Sequence, residues 1–282
     1  MTLPPEDRSR RQFLSALAAA GFAAAVQPVC ADTILTPTDG LDAGMDRVAA
    51  NDGFLPVYRA VPQGRKNLPL ILVVQEIFGL HEHIKDICRR LARLGYCAIA
   101  PDLYYRQGDA TKVSDIPTLL KTIVAFVPDE QVLRDLDTVV RWAQGSGYYD
   151  GHRLGITGFC WGGRITWLYC GHNPQVRAGV AWYGKLEGEE TAMTPQHPID
   201  IADSLQVPVL GLYGGQDAGI PQDSLGRMRS RLASAHSQSE IVIYPDAPHA
   251  FNADYRPSYR KAAAEDGWRR MREWFSVHGV NV

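Results

Sequence analysis

Basic charge is not in excess in this sequence: 29 Lys and Arg stand against 31 Asp and Glu, for a formal net charge of -2. No stripe of Lys and Arg is interleaved with aromatic residues, so a nucleic-acid partner is not expected. Internal repeats are missing too, and so is a second core. Cysteine is scarce, with five in 282 residues. A chain of this size buries a core without disulfide staples. With 45% apolar and 21% charged residues, the composition is that of a globular protein with one large domain or two small ones.

The first thirty residues have a different character. Ser9, Arg10, Arg11, Phe13 and Leu14 resemble a twin-arginine export signal, and an Ala-rich apolar run follows at residues 16–26. That run is too short to span a membrane. The small-residue site Val29-Cys30-Ala31 predicts cleavage after Ala31 and a periplasmic or secreted protein. A lipid anchor on Cys30 is disfavoured by the Gln27-Pro28-Val29 before it. The expected organisation is a leader at 1–31, an arm or linker at 32–52 and one domain at 53–282. Four cysteines remain after cleavage. Cys88, Cys160 and Cys170 read as unpaired, although a bridge between Cys88 and Cys97 stays open.

Strand and helix signals alternate through that domain. Residues 54–62 read as an edge strand. "LILVVQ" at 70–75 is a continuous apolar run, as a strand buried on both faces requires. Helical stripes follow at 83–94, 116–127, 129–144, from 161, 225–235 and 259–277. Further strands are expected at 96–101, 153–159, 177–184, 207–214 and 240–245. This alternation predicts a mostly parallel sheet with helices on both faces. The segment 186–199 has no period and reads as a surface loop.

In such a sheet, function gathers beyond the carboxyl ends of the strands. There, Gly158-Phe159-Cys160-Trp161-Gly162 is a G-x-C-x-G form of the nucleophile elbow. A strand turning sharply into a helix strains its central residue, and the glycines two positions either side remove collisions. The thiol would project at a helix N-terminus, where unpaired N–H groups favour a thiolate. After a later strand comes Asp217, and after the next comes His249. Nucleophile, acid, histidine is the chain order of an α/β-hydrolase triad. Asp217 would orient the imidazole, and His249 would shuttle the proton. Two oxyanion donors are then needed: the N–H of Trp161 and, from the Glu76-Ile77-Phe78-Gly79 loop, that of Ile77.

The motifs "QEIFGL", "APDLYYRQGD", "GFCWGG", "GGQD" and "APHAF" occur in this order, and from about Leu68 onward the chain resembles the dienelactone hydrolase family. The resemblance implies an α/β-hydrolase fold, cofactor-free hydrolysis of a small ester or lactone, and Cys160, Asp217 and His249 as the triad. It implies Ile77 and Trp161 as oxyanion donors and Glu76 as a carboxylate that modulates the thiol. Arg106 matches an arginine that contacts the substrate carboxylate, and Tyr104 and Phe78 are placed with it in the substrate pocket. A second arginine usual shortly after the histidine is displaced here, with Arg256 the first to follow.

His81 and His83 in "HEH" could suggest a metal. Two histidines two apart point different ways on a helix and no third ligand is indicated, so a loop cap is expected and no metal. A monomer without stable membrane association is expected once the leader is removed. The competing reading is a periplasmic ligand-binding or scaffold protein that keeps the fold without turnover.

Overall fold

The computed structural model describes residues 33–282. The expected export leader at 1–31, with Cys30, lies outside the described residues. Eight strands form one sheet in the order β1-β2-β4-β3-β5-β6-β7-β8. They are β1 (Leu41–Ala50), β2 (Gly53–Pro62), β3 (Leu68–Val74), β4 (Cys97–Pro101), β5 (Tyr149–Phe159), β6 (Val176–Trp182), β7 (Val209–Gly214) and β8 (Glu240–Tyr244). β2 runs antiparallel to both neighbours, and from β4 to β8 every pairing is parallel.

The helices are α1 (Glu82–Arg93), α2 (Ile116–Thr122), α3 (Asp129–Ser146), α4 (Trp161–His172), α5 (Pro198–Ile201), α6 (Gln222–Ser234) and α7 (Lys261–Val277). Local chemistry sets their ends. α3 follows Pro128, carries Asp129 and Glu130 in its first turn and stops at Gly147, whose φ of 75° is a left-handed C-cap. Its buried Val132, Leu136, Val139, Val140 and Ala143 form one stripe at spacings of three and four. All seven residues of β3 are buried, which explains why no polar alternation marks it.

Two expectations need correction. The arm at 32–52 contains β1, which pairs residue for residue with β2, so the ordered sheet begins at Leu41 and not near residue 53. Residues 54–62 consequently lie inside the sheet, between β1 and β4, and not at its edge. An edge strand needs no apolar face to be held, since a ten-residue ladder to its neighbour suffices, and β1 is mostly half-buried or exposed. Cys88, Cys97, Cys160 and Cys170 are all free and buried, so the Cys88–Cys97 bridge left open above is not formed. Burial pushes the Cys97 thiol up to about 12 and that of Cys88 higher still, as expected of inert core thiols. No helix among the described residues is long and apolar enough to cross a membrane.

The topology itself chooses a place for chemistry. From β3 the chain steps to β4 on one side and later to β5 on the other, so strand order reverses between β3 and β5. The crevice beyond the carboxyl ends of those two strands is the switch point of the sheet.

Candidate active site

β5 ends at Phe159, α4 begins at Trp161, and Cys160 between them has φ 56° and ψ −116°. No L-residue takes that geometry at ease, so the surroundings must impose it. They do so with backbone. A Cβ on Gly158 would overlap the Gly162 carbonyl and lie 2.7 Å from Thr166 Oγ1. One on Gly162 would come 2.5 Å from the carbonyl oxygens of both Val74 and Gln75 in the neighbouring strand. One on Gly163 would lie 2.5 Å from the Trp182 carbonyl. The three glycines are thus where α4 packs directly against the ends of β3, β5 and β6. The amide of Cys160 donates to the Trp182 carbonyl at 3.0 Å, which fixes the turn from the other side.

Asp217 follows β7 and His249 follows β8, and the sheet brings both to this turn. His249 Nδ1 lies 2.7 Å from Asp217 Oδ2, and both side chains are buried. Cys160 acts on the same imidazole. Burial alone would lower the His249 pKa, but Cys160 and Asp217 outweigh it and raise the value to about 10. The ring of Tyr183 packs edge-on against the imidazole, centroids 5.0 Å apart. Cys160, Tyr183 and Ala250 are three of the five non-glycine residues with positive φ among the described residues. Backbone strain therefore clusters around this one imidazole.

Trp161 is the first residue of α4, so its N–H has no partner within the helix. Ile77 is buried in the loop after β3, where the Gly79 amide donates to the Glu76 carbonyl at 3.2 Å and Gly79 takes φ 74°. Tyr104 is fully buried against Trp161, ring centroids 4.9 Å apart, and nearby Cys160 adds to what burial does in pushing its phenol upward.

Glu76 is buried at the end of β3. Arg256 Nη2 donates to its Oε2 at 3.3 Å, and His81 Nε2 lies 3.3 Å from the same oxygen. Burial opposes ionisation of this carboxyl, but Arg256 and His81 prevail and hold it well below the usual carboxylate range. Phe78 lies under the Arg256 guanidinium, 4.7 Å from its centroid. Arg256, set aside above as displaced from the usual place after the histidine, is brought here by the fold. It stands seven positions after His249, and only the bend of that loop returns it to a carboxylate 180 positions away.

Arg106 is held by two aspartates. Its Nε and Nη2 donate to Asp52 at 2.6 and 2.7 Å, and its Nη1 and Nη2 to Asp135 at 2.6 and 3.0 Å. It lines a surface cavity of about 450 Å³ together with Asn51, Asp52, Arg134 and Thr138, none of them a residue of the triad. His81 precedes α1 as its N-cap but makes no side-chain cap bond, and no group of three or more His, Cys, Asp or Glu that could hold a metal occurs among the described residues.

The segment 185–197 is anchored beside this site. Arg164, one turn into α4, donates Nη1 and Nη2 to Asp129 at 2.7 Å each, Nη2 to the Gln196 carbonyl at 2.6 Å and Nε to His197 Nδ1 at 3.2 Å. His197 Nε2 in turn lies 3.1 Å from the Glu189 carbonyl.

Comparison with known proteins bears on this arrangement. The model of the dienelactone hydrolase family matches residues 55–279. The chain belongs to the dienelactone hydrolase family. A relative from Methylorubrum extorquens, named "Putative carboxymethylenebutenolidase", is 55% identical over 273 residues, 96% of this chain and 94% of its own. One of the same name from Escherichia coli K12 is 58% identical, covering 92% of this chain and 96% of the relative. Among solved structures, the "Putative Dienelactone Hydrolase" of Klebsiella pneumoniae superimposes with a TM-score of 0.82 at 58% identity, over 84% of this chain and 98% of that one. The eight-stranded, mostly parallel sheet with helices on both faces is thus the α/β-hydrolase fold of this hydrolase family.

Proposed function

We propose that this member of the family is a carboxylic ester or lactone hydrolase that works through a Cys160–His249–Asp217 triad. One observation carries the reading: a cysteine in a strained elbow acts on a buried imidazole whose Nδ1 lies 2.7 Å from a buried aspartate. With His249 already carrying the proton below about pH 10, Cys160 Sγ attacks the carbonyl carbon as the thiolate of that pair, and the carbonyl oxygen gains negative charge. The N–H groups of Trp161 and Ile77 receive that oxyanion. The tetrahedral adduct collapses, the C–O bond to the alcohol breaks, and the alkoxide takes the proton from the imidazolium. Water then gives a proton to His249 and attacks the thioester, the thiolate and the acid leave, and the proton on His249 restores the starting pair. Asp217 keeps the imidazole in one tautomer throughout and stabilises its charge.

Relatives named as carboxymethylenebutenolidases favour an enol-lactone as substrate. Contact of Arg106 with a substrate carboxylate requires Asp52 and Asp135 to release it first. The twin-arginine pattern of Ser9 to Leu14 supports export to the periplasm, and three further thiols buried by the fold suit folding before translocation.

The test is a panel of nitrophenyl esters and small lactones, each with and without a free carboxylate. Iodoacetamide should abolish turnover, and Cys160→Ala should lower kcat by at least about 10³-fold with an unchanged circular dichroism spectrum. Full activity in that variant ends the reading. Saturable ligand-induced shifts in Tm without product would favour a binding protein instead.

A further inference from the structure

A cavity of about 460 Å³ opens between the second half of α1, the middle of α7 and the loop after β8. No residue of the triad lines it, and neither does Glu76 or Arg256. Its lining is more apolar than polar, with Ala264 and Trp268 from α7 and Leu94 from the end of α1.

The charges around it leave positive groups over. Arg90 is paired with Asp86 at 2.6 Å and with Asp254 at 2.7 Å, so the carboxylate of Asp254, which also lines the cavity, is already neutralised. Arg269 is paired with Asp266 and, at 2.7 Å, with Glu273. The exposed Glu265 has Lys261 at 3.8 Å. Arg93, by contrast, donates only to the Pro37 carbonyl, at 3.0 Å, and Arg272 has no hydrogen bond or ion pair among the described residues. Two guanidiniums thus border the cavity without a carboxylate of their own.

Asn252 supplies a neutral donor. It lines the cavity, is only 1% exposed and stands three positions after His249. Trp268 Nε1 lies 2.9 Å from its Oδ1. An indole nitrogen can only donate, so the amide oxygen is the end turned to Trp268 and the NH2 is the other. That Nδ2 has no hydrogen-bond partner among the described residues. A buried donor left unpaired is costly and calls for an explanation. The loop holds it in place: the Ala253 amide donates to the Ala250 carbonyl and the Arg260 amide to the Phe251 carbonyl, both at 3.0 Å.

We infer that this cavity is a binding site, separate from the triad, for a small carboxylate with a flat apolar body. The Asn252 NH2 donates to one carboxylate oxygen, the Arg272 guanidinium holds the other, and the apolar body lies along Trp268, Ala264 and Leu94. A planar guanidinium fork matches a carboxylate in a way a point charge does not. Small-ligand sites are cavities of about 300–1,000 Å³, lined chiefly by apolar side chains with a few placed polar groups. The inference does not depend on the reading of Cys160 as nucleophile.

The test is an NMR titration of the full chain with 2-naphthoate, followed at the Trp268 indole N–H, whose resonance is identified by its absence in Trp268→Phe. That resonance should shift saturably with naphthoate, whereas the uncharged 2-naphthamide should bind at least about tenfold more weakly. Asn252→Asp keeps an acceptor for Trp268 but puts a carboxylate oxygen in place of the unpaired donor, so it should weaken naphthoate at least about tenfold. Arg272→Ala, at an exposed position of α7, should weaken it about tenfold and remove much of its salt dependence. If Asn252→Asp does not fold, Arg272→Ala and the comparison of naphthoate with naphthamide decide. A Trp268 resonance that stays in place, equal affinity for acid and amide, or wild-type affinity in Arg272→Ala overturns the inference.

Discussion

On one side of Cys160 the contacts are main chain against main chain: Gly158, Gly162 and Gly163 let α4 press onto the carbonyls of Val74, Gln75 and Trp182 with no room for a methyl group. On the other side, around Glu76, four side chains are joined by hydrogen bonds and charge: Arg256, Tyr255, His81 and the carboxylate itself. The first side has no adjustable part and does not respond to pH. The second is built wholly from groups that gain, lose or share protons. For the nucleophile proposed above, position and surrounding charge are thus held by different means.

The largest effect should come from breaking the steric side. Gly162→Ala puts a carbon against two backbone oxygens that cannot rotate away, and we expect a loss of at least about 4 kcal/mol, read as a collapse of the urea midpoint or failure to fold. The charged side should lose less. Arg256→Met leaves Glu76 buried without its guanidinium partner and should cost about 3–5 kcal/mol, whereas Glu76→Leu with Arg256→Met together should recover part of that loss. A smaller effect than either single substitution in the double variant is the sign that pairing, and not shape, is at stake.

The pH dependence of Tm sharpens the same contrast. His249 has a folded pKa raised to about 10 from 6.5, so the stability it contributes is complete below about pH 6.5 and is lost as pH rises through 10. His83 has its value depressed to about 3, so its contribution is present above about pH 6.5 and is lost as pH falls through 3. Tm should therefore peak near neutrality. Asp217→Asn should flatten the alkaline limb and His83→Phe the acid limb. The smallest effect is expected at Arg106→Ala, which removes ion pairs at a partly exposed position: about 1 kcal/mol, with kcat/KM for an uncharged ester within twofold of wild type. A large rise in KM confined to carboxylate-bearing substrates would show that Arg106 does leave Asp52 and Asp135 to meet them.

How much of this was legible in the sequence follows the range of the forces involved. The elbow depends on glycines within five positions of one cysteine, and the alternation of apolar runs marks each core strand, so both are written locally. β1 was missed because it is held by pairing and not by an apolar face. Asp217 and His249 were legible through their places after successive strands, a property of topology. The Glu76–Arg256 pair was not, since nothing in "HAFNADYR" says which way the loop bends, and Tyr183, just beyond β6, looks like one more core aromatic until its ring is seen against the imidazole. Arg106 shows the converse: a motif match fixes a residue type and not its neighbours.

Arg164 spreads one planar group over the Asp129 carboxylate at the start of α3 and over the carbonyl and imidazole lone pair of the consecutive Gln196 and His197. A lysine there has a single charged centre and cannot reach in three directions at once. With Arg227 on Glu187 and the Asp129 amide on the Met193 carbonyl, the flat Arg164 side chain moors the span from Glu187 to Gln196, and its berth lies a single helical turn from the sulfur.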